Sequence, residues 1–280
     1  MKDYQKLLFP YAYNILGSVE DAKDAVQEAI IKFISLQKDE VRNEQAYLVR
    51  MVINQSITMK EKMKRMISGR TWLPEPMCTE SADENLNRKE LLSYSMLVLL
   101  ERLSARERAI FILKEAFSFT HEEIAEFLYL TPQNCRKVLS RAKQKLQAHK
   151  NTFVNPQAFS ASFFEHYLDV IRRGDIEALK LLLSKDVSLT ADGGGKISVA
   201  QEVTIGLSDT ANLILLVYEK YQQYMKVIFK EVNHQPALFY FRNNELLICQ
   251  VFGFTRSSLQ INAIYSIVDP EKLLHFAFDK

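Results

Sequence analysis

Apolar residues recur at helical spacing throughout the first 66 residues. Ser18 followed by Asp21 marks a helix start, since a serine side chain and an acid three residues later satisfy free amide groups there. Apolar side chains then return every three or four positions as far as Phe33, and a second pattern of this kind covers Glu44–Met66. These patterns predict an all-α domain over residues 1–66.

The pattern stops at a proline-rich stretch. Gly69 and the segment Trp72-Leu73-Pro74-Glu75-Pro76 disfavour a helix, because proline lacks an amide donor and restricts the residue before it. We therefore expect residues 67–85 to be a linker.

Helical spacing resumes near Leu86 and continues to Leu103. Ser104 with Glu107 and Thr120 with Glu123 are capping boxes that open two further helices. After the helix ending at Leu128, Thr131-Pro132 supplies an N-cap and a first-turn proline for a basic helix. Two helices joined by a short turn, the second of them basic, indicate a helix-turn-helix within residues 86–150.

After Asn155-Pro156 the pattern changes from helices to β-branched and aromatic runs. Helices are predicted near 157–172, 175–184 and 209–221. The predicted strands are Val187–Ala191, Ile197–Val203, Met225–Val232, Ala237–Arg242, Leu246–Phe252 and Gln260–Val268. Helices grouped beside an antiparallel sheet predict an α+β domain over residues 157–280.

Composition narrows the class of protein. With 280 residues, 48% hydrophobic and 25% charged, the chain is long enough for several domains and ordinary for a soluble protein. It contains no apolar run of membrane-spanning length, and the expected location is the cytoplasm, with no membrane partner. The three cysteines are far apart, which disfavours a disulfide framework or a zinc site.

Charge is distributed unevenly although the net charge is only +2. Two stretches are basic, namely 60–70 and 131–150. Separate basic stripes in a nearly neutral protein suit separate contacts to phosphate, and solvated helix faces are the alternative interpretation.

One predicted helix also carries an acidic face. Asp21, Asp24 and Glu28 share that face, with Gln27 at its edge. No metal-ligating partner lies nearby in the sequence, so the face is either solvated or docks onto a basic partner.

Three separated segments resemble a known family. "LGSVEDAKDAVQEAIIKF", "NEQAYLVRMVINQSI" and "LERLSARERAIFILKEAFSFTHEEIAEFLYLTPQNCRKVLSRAKQKL" are similar to the bacterial RNA polymerase sigma factors of the extracytoplasmic function class. The first two segments resemble sigma region 2 and the third resembles region 4. The resemblance implies a promoter-directing transcription factor that is not an enzyme and needs no cofactor or metal.

The resemblance also implies roles for individual residues. Docking to the clamp helices of the polymerase largest subunit falls to Asp21, Asp24, Gln27 and Glu28. Melting and reading of the −10 element falls to Arg50, Asn54, Lys60, Lys62, Lys64 and Arg65. Reading of the −35 element in the major groove falls to Gln133, Asn134, Arg136, Lys137 and, on phosphate, Arg141. Further contact with the polymerase flap is expected, and the free chain is expected to be a monomer.

Three positions depart from the family pattern. Tyr129 stands in the turn of the helix-turn-helix where glycine is common. Thr58 and Met59 occupy positions where many relatives carry an acid and a further basic residue. The turn geometry and the promoter preference are therefore expected to differ from those of relatives.

The "TWLPEP" linker and the C-terminal "ADGGGK" resemble the subgroup of these sigma factors that carries a fused SnoaL-like domain, a cone made by a curved sheet and helices. The resemblance implies that this domain regulates the sigma regions in cis. The only tryptophan, Trp72, suits a docking pocket, or else covers the core of region 2.

The glycine run lacks the spacing of a phosphate-binding P-loop. Asp192-Gly193 favours a turn, and three consecutive glycines favour a rim that another backbone can approach closely. The predicted regulatory contact residues are Trp72, Leu73, Pro74, Glu75, Pro76, Asp192, Gly193, Gly194, Gly195 and Lys196.

Two other classes of function stay open at this stage. An enzymatic cone would need an acid or base, and the candidates are Asp192, His166, Glu202 and His234, which show no convincing pairing. A ligand-responsive helix-turn-helix activator would leave region 2 unexplained. The sequence names no ligand for the cone.

Overall fold

A computed structural model describes residues 4–35, 43–67, 69–79, 90–147, 161–255 and 259–276. The chain divides into two units. The helical unit comprises Met1–Ser68, Ala82–Leu92 and Leu97–His149, and the C-terminal unit comprises Gly69–Ser81, Ser93–Met96 and Lys150–Lys280. The proline-rich linker thus belongs to the C-terminal unit.

The first part of the helical unit contains three helices. They are α1 (Tyr4–Leu16), α2 (Val19–Ile34) and α3 (Glu44–Met66). Ser18 caps α2 by accepting a hydrogen bond from the amide of Asp21, as its sequence spacing predicts. The apolar face of each helix is buried, with Leu8, Ala22 and Val52 almost fully inaccessible to solvent. The helices predicted within residues 1–66 are confirmed.

In the second part the described residues form the end of α4 (Tyr94–Leu100), which begins in the C-terminal unit, and α5 (Ala105–Glu115), α6 (His121–Leu128) and α7 (Pro132–Gln147). Both predicted capping boxes are formed, and the Thr131 hydroxyl accepts from the amide of Asn134 at the start of α7. Helix α4 is shorter than predicted. The Asn14 side chain binds the carbonyl of Glu90 and the amide of Leu92, which keeps that stretch out of the helix; residues 86–89 lie outside the described residues.

The C-terminal unit is a six-stranded sheet covered by helices. Its helices are α8 (Ala161–Arg172), α9 (Ile176–Leu182), α10 (Leu207–Val217), which continues into a π-helical turn (Tyr218–Gln222), and α11 (Pro270–Leu273). Its strands are β1 (Leu183–Asp192), β2 (Thr204–Ile205), β3 (Lys226–Val232), β4 (Gln235–Arg242), β5 (Glu245–Phe254) and β6 (Ile261–Ile267). The strand order is β2-β1-β6-β5-β4-β3.

Two strand predictions need correction. The sheet is mixed rather than wholly antiparallel, because β1 runs parallel to β6. Residues 197–203 do not form a strand; only Thr204–Ile205 pair with β1, and most of the preceding side chains are exposed. A run of β-branched residues becomes a strand only where a partner strand and a half-buried face are available.

Aromatic side chains form the core of this unit between α8 and one face of the sheet. The Phe164 ring lies 5.0 Å from that of Phe252, and the Tyr167 ring lies 5.5 Å from Phe252. Tyr240 is also buried there, and its hydroxyl donates to the Gln250 side chain at 2.8 Å. The aromatic core therefore packs against one face of the sheet, and the opposite face is available for contacts with other parts of the unit.

Candidate functional sites

The acidic face of α2 is open to solvent. Asp24, Gln27 and Glu28 are exposed and Asp21 is half-buried. The Lys32 ammonium lies 2.6 Å from Glu28, and the Gln55 amide also donates to that carboxylate. Because the pair is largely exposed, it contributes little to stability. The face carries the predicted polymerase-docking residues together.

Two apolar side chains continue the α2 surface toward its C-terminus. Ile31 and Ile34 are 59% and 68% exposed. Sequence reasoning missed them, since an isoleucine in a helix normally signals core. Their exposure adds an apolar border to the acidic face.

Helix α7 presents the predicted −35 residues outward. Gln133, Asn134, Arg136, Lys137 and Arg141 are exposed. Cys135, Leu139 and Ala142 face inward and are buried, which fixes the rotation of the helix. The Arg136 guanidinium lies 3.0 Å from Glu122 in an exposed pair. The basic surface is thus built on a helix whose other side is anchored by packing.

Several predicted −10 residues on α3 are in contact with the second half of the helical unit. The Asn54 amide donates to the Phe127 carbonyl at 2.8 Å, and the Arg50 guanidinium lies 5.4 Å from the centre of the Tyr129 ring. The Lys64 ammonium donates to the carbonyls of Glu101 and Leu103. Lys62 and Arg65 remain exposed.

Lys60 lies at the centre of a buried charge cluster formed with Glu101 and Arg108. Its ammonium donates to Glu101 at 2.9 Å and to the carbonyl of Leu16 at 2.7 Å. Arg108 is fully buried, pairs with the same carboxylate and donates to the carbonyl of Asn14. The structure therefore places Lys60 away from solvent, whereas the sequence suggested an exposed DNA contact.

The protonation of this cluster follows from its burial. Desolvation lowers the pKa of Lys60 to about 7, against the opposing attraction of Glu101. Burial alone would raise the pKa of Glu101, but the guanidinium of Arg108 and the ammonium of Lys60 hold it below its ordinary value. The carboxylate is thus the stable anion on which both cations depend. No local sequence signal identifies Glu101 or Arg108, because their partners are remote in the chain.

Aromatic stacking joins the two halves of the helical unit further along. The Tyr11 ring of α1 stacks on Phe117 at 4.1 Å and lies 6.2 Å from Phe119. The loop that carries both phenylalanines joins α5 to α6. Polar and apolar contacts together therefore hold α3 and α1 against α5 and α6.

The proline-rich linker is anchored within the C-terminal unit by Asp192, at the end of β1. One carboxylate oxygen accepts from the Leu73 amide at 2.8 Å and from the Lys272 ammonium at 2.6 Å; the other accepts from the Gly194 amide at 2.9 Å. The same ammonium donates to the Leu73 carbonyl and lies 4.3 Å from the centre of the Trp72 ring. Burial is the largest influence on the Lys272 ammonium and lowers its pKa.

The rest of the linker is held by main-chain and side-chain bonds. The Tyr94 hydroxyl donates to the Pro74 carbonyl at 2.6 Å, and a ring nitrogen of His275 lies 2.6 Å from the Pro76 carbonyl. Met77 and Asn233 exchange two hydrogen bonds of 2.8 Å. Sequence reasoning missed the roles of Tyr94, Asn233, Lys272 and His275, which only the fold brings to the linker.

The glycine run forms the turn that follows Asp192. Gly194 and Gly195 have φ of +62° and +74°, which side chains rarely adopt. A Cβ on Gly194 would collide with the Asp269 carboxylate, and one on Gly195 would collide with the guanidinium of Arg70 in the linker. Lys196 pairs with Glu271 rather than with the linker. The positive φ of both residues, together with the close approach of Asp269 at Gly194, thus explains why these positions lack side chains.

The four candidate acids and bases are not assembled into one site. His166 and Glu202 are exposed, His234 lies beside Glu231 at 3.9 Å, and Asp192 is used by the linker. Among the described residues, no group of His, Cys, Asp and Glu could hold a metal ion.

Comparison with known proteins adds to this geometry. The model of sigma-70 region 2 matches residues 1–66, and that of sigma-70 region 4 matches residues 94–146. The sigma factor SigJ of Mycobacterium tuberculosis is 27% identical over 224 residues, which cover 76% of this chain and 70% of SigJ. The chain is therefore similar to the extracytoplasmic function sigma factors, with matches to their regions 2 and 4.

Further similarities cover almost the whole chain. A probable sigma factor, SigI of Mycobacterium tuberculosis, is 21% identical over 96% of this chain and 92% of its own length. The crystal structure of SigJ superposes with a TM-score of 0.75 at 22% identity, covering 97% of this chain and 96% of that one. The likeness in fold extends to the C-terminal unit, whose helices and mixed sheet match that region of the SigJ structure.

Over the part of the chain that the structure describes, no helix combines the length and apolarity required to cross a bilayer.

Proposed function

We propose that this chain is a sigma factor that binds core RNA polymerase through the acidic face of α2, reads −10 DNA with α3 and −35 DNA with α7, and is regulated in cis by its C-terminal unit. The observation that carries the regulatory part is the buried Asp192 carboxylate, which binds the linker amide of Leu73. A linker tied to that unit cannot move independently of it.

The polymerase contact rests on charge and exposure. Asp24 and Glu28 project from a helix whose opposite face is buried, with Asp21 and Gln27 beside them. A rigid acidic surface favours a basic partner through steering and complementarity. The clamp helices of the largest subunit are the proposed partner, and the flap is proposed for the region 4 side.

The promoter contacts rest on residue chemistry. Asn134 and Gln133 suit adenine edges, and Arg136 and Lys137 suit guanine or phosphate; Arg141 would hold backbone phosphate. On α3, cations neutralise phosphate while amides capture unstacked bases. Lys62 and Arg65 are exposed already, whereas Lys60 requires separation from Glu101 before it can reach DNA.

The regulatory contact consists of two parts that meet in the C-terminal unit. The linker supplies Trp72, Leu73, Pro74, Glu75 and Pro76. The sheet end supplies Asp192 and the glycine turn, with Lys196 supporting α11 through Glu271. Since this linker joins the two sigma regions, its anchoring limits how far they can separate.

Catalysis is not part of the proposal. The Asp192 carboxylate already accepts hydrogen bonds from the Leu73 amide, the Gly194 amide and the Lys272 ammonium, so its contacts are accounted for by the linker anchor. A helix-turn-helix activator without polymerase contact would not account for the acidic face of α2. We propose a monomeric cytoplasmic factor that acts without a cofactor, and we assign no ligand to the cone.

Measurement of affinity for core RNA polymerase tests the proposed docking face on α2. Asp24→Lys in the full chain should weaken affinity for core polymerase by more than about tenfold, since like charges would then face one another. Glu165→Lys, an exposed acid on α8, is the matched control and should bind as the wild type does. Equal affinities for the two variants would reject the docking face.

A promoter-directed transcription assay with core polymerase tests the proposed regulation by the C-terminal unit. Asp192→Ala should change the yield of transcript per bound sigma factor, whereas Asp186→Ala, an exposed acid on the same strand, should not. Identical yields from all three chains would contradict regulation through the linker.

A further inference from the structure

Tyr129 occupies a backbone conformation that its residue type does not favour. It forms the C-cap of α6 with φ 54° and ψ 46°, in the left-handed region where glycine is at ease. Its side chain is 75% exposed, so the core of region 4 does not require it. A strained residue that the local fold does not need points to a role elsewhere.

The Tyr129 ring lies against the predicted −10 surface. The Arg50 guanidinium is 5.4 Å from the centre of this ring and 5.2 Å from the centre of the Tyr47 ring, three residues earlier on α3. Both distances are within the range of cation–π attraction. Region 4 thereby supplies one of the two aromatic rings that hold Arg50.

One helical turn further along α3, Asn54 makes a second contact with the same end of α6. Its amide donates to the Phe127 carbonyl at 2.8 Å, one of the carbonyls that the end of a helix leaves without an intrahelical partner. The C-terminus of a helix also carries partial negative charge, which favours the Arg50 cation. Arg50 and Asn54 are therefore engaged by one feature, the C-terminal end of α6, which carries Phe127 and the cap residue Tyr129.

We propose that Tyr129 is an autoinhibitory latch, in which the turn of the helix-turn-helix covers the −10-reading residues Arg50 and Asn54. The latch rests on the proposed function, since it matters only if those residues bind promoter DNA. It leaves α2 and the basic surface of α7 exposed. The closed chain can thus engage core polymerase first, and Arg50 and Asn54 become free when the end of α6 and its turn lift from α3.

The decisive variant is Tyr129→Gly in the full chain. Glycine accepts the positive φ, so the turn keeps its shape while the ring is lost. Ser118→Gly is the matched control, because Ser118 is also an exposed region 4 residue with positive φ, 58°, and has no role in the latch. Tyr129→Phe keeps the ring and should behave as the wild type.

Opening is measured directly by spin-label distances. Labels at Lys23→Cys on α2 and Gln144→Cys on α7 occupy exposed positions, in a Cys78→Ser background because Cys135 and Cys249 are buried. Loss of an exposed cation–π contact should raise the ratio of open to closed chains about two- to fivefold. Ser118→Gly and Tyr129→Phe should leave the distribution unchanged. An unchanged distribution in Tyr129→Gly would overturn the latch.

Function is measured separately, by transcription from a promoter recovered with the wild-type holoenzyme. Tyr129→Gly should increase transcript at limiting sigma factor without changing affinity for core polymerase. A chain that opens but transcribes no better would show that Arg50 and Asn54 do not read DNA, which is a failure of the proposed function. A chain that neither opens nor transcribes better would show that the latch itself is wrong.

Discussion

Replacement of Asp192 by alanine is the sharpest perturbation of the linker anchor. The carboxylate is 1% exposed, and it is the shared acceptor for the Leu73 amide, the Gly194 amide and the Lys272 ammonium. Alanine would remove the carboxylate that pairs directly with that ammonium, which is itself 7% exposed. The linker amide would lose its acceptor in the same step.

The expected cost follows from the burial of the pair. Removal of one partner of a buried ion pair destabilises a protein by about 3–5 kcal/mol, because the remaining charge is desolvated without compensation. Whole domains are stable by only about 5–15 kcal/mol. Asp192→Ala should therefore lower the free energy of unfolding of the C-terminal unit by about 3–5 kcal/mol and release the linker.

Trp72 provides the assay, since it is the only tryptophan and lies in the linker under the Lys272 ammonium. Its emission should shift to the red in Asp192→Ala even before denaturant is added. Urea titrations followed by this emission report on the C-terminal unit, which avoids treating two units as one transition. Asp186→Ala, an exposed acid on the same strand, is the control.

A double variant checks the reasoning. Asp192→Asn with Lys272→Met removes both charges and keeps the shapes similar, so it should cost less than about 2 kcal/mol. If the double variant is as costly as the single one, charge desolvation is not the cause. If Asp192→Ala unfolds and emits as the wild type does, the carboxylate does not anchor the linker.

Two further predictions concern the charge cluster and the glycine turn. The pKa of Lys60 is about 7 when the side chain is buried and about 10.4 when it is exposed. When α3 separates from Glu101 at a pH between these two values, the Lys60 amine therefore binds a proton. The free energy that stabilises the closed form should therefore decrease as pH falls from about 10 to 7, by up to about 1.4 kcal/mol per pH unit, and Lys64 should act in the same direction. Urea titrations across this pH range should show this dependence of stability on pH. Lys60→Met should make the dependence weaker. In thermal unfolding, Gly194→Ala should destabilise the C-terminal unit by more than Gly174→Ala does. Both positions have positive φ, but only a side chain at position 194 would also collide with Asp269. Equal losses of stability in the two variants would contradict a close approach.

Local features of the helical unit could be predicted well from the sequence. The helix start at Ser18, both capping boxes and the Thr131-Pro132 start of α7 are confirmed, because each depends on residues within one turn of helix. The outward orientation of Arg136 and Lys137 follows from the same periodicity, since Cys135 and Leu139 occupy the buried positions.

Predictions that depended on remote partners succeeded less well. Residues 197–203 have strand-forming composition but no strand partner. Lys60 belongs to a basic stripe in the sequence, yet it is buried against Glu101, 41 residues away. Nothing local to a lysine reveals whether a carboxylate will meet it after folding.

The sequence by itself determined the helices, the linker and the chemistry of three surfaces, because helical periodicity, proline and residue charge act over short distances. Only the tertiary structure decided which of those surfaces are open. It exposes the acidic face of α2 and the basic face of α7, places the Tyr129 ring beside the Arg50 guanidinium, and places the Asp192 carboxylate on the amide of Leu73, 119 residues away. Burial and long-range hydrogen bonds depend on the whole packed chain, and so no short stretch of sequence encodes them.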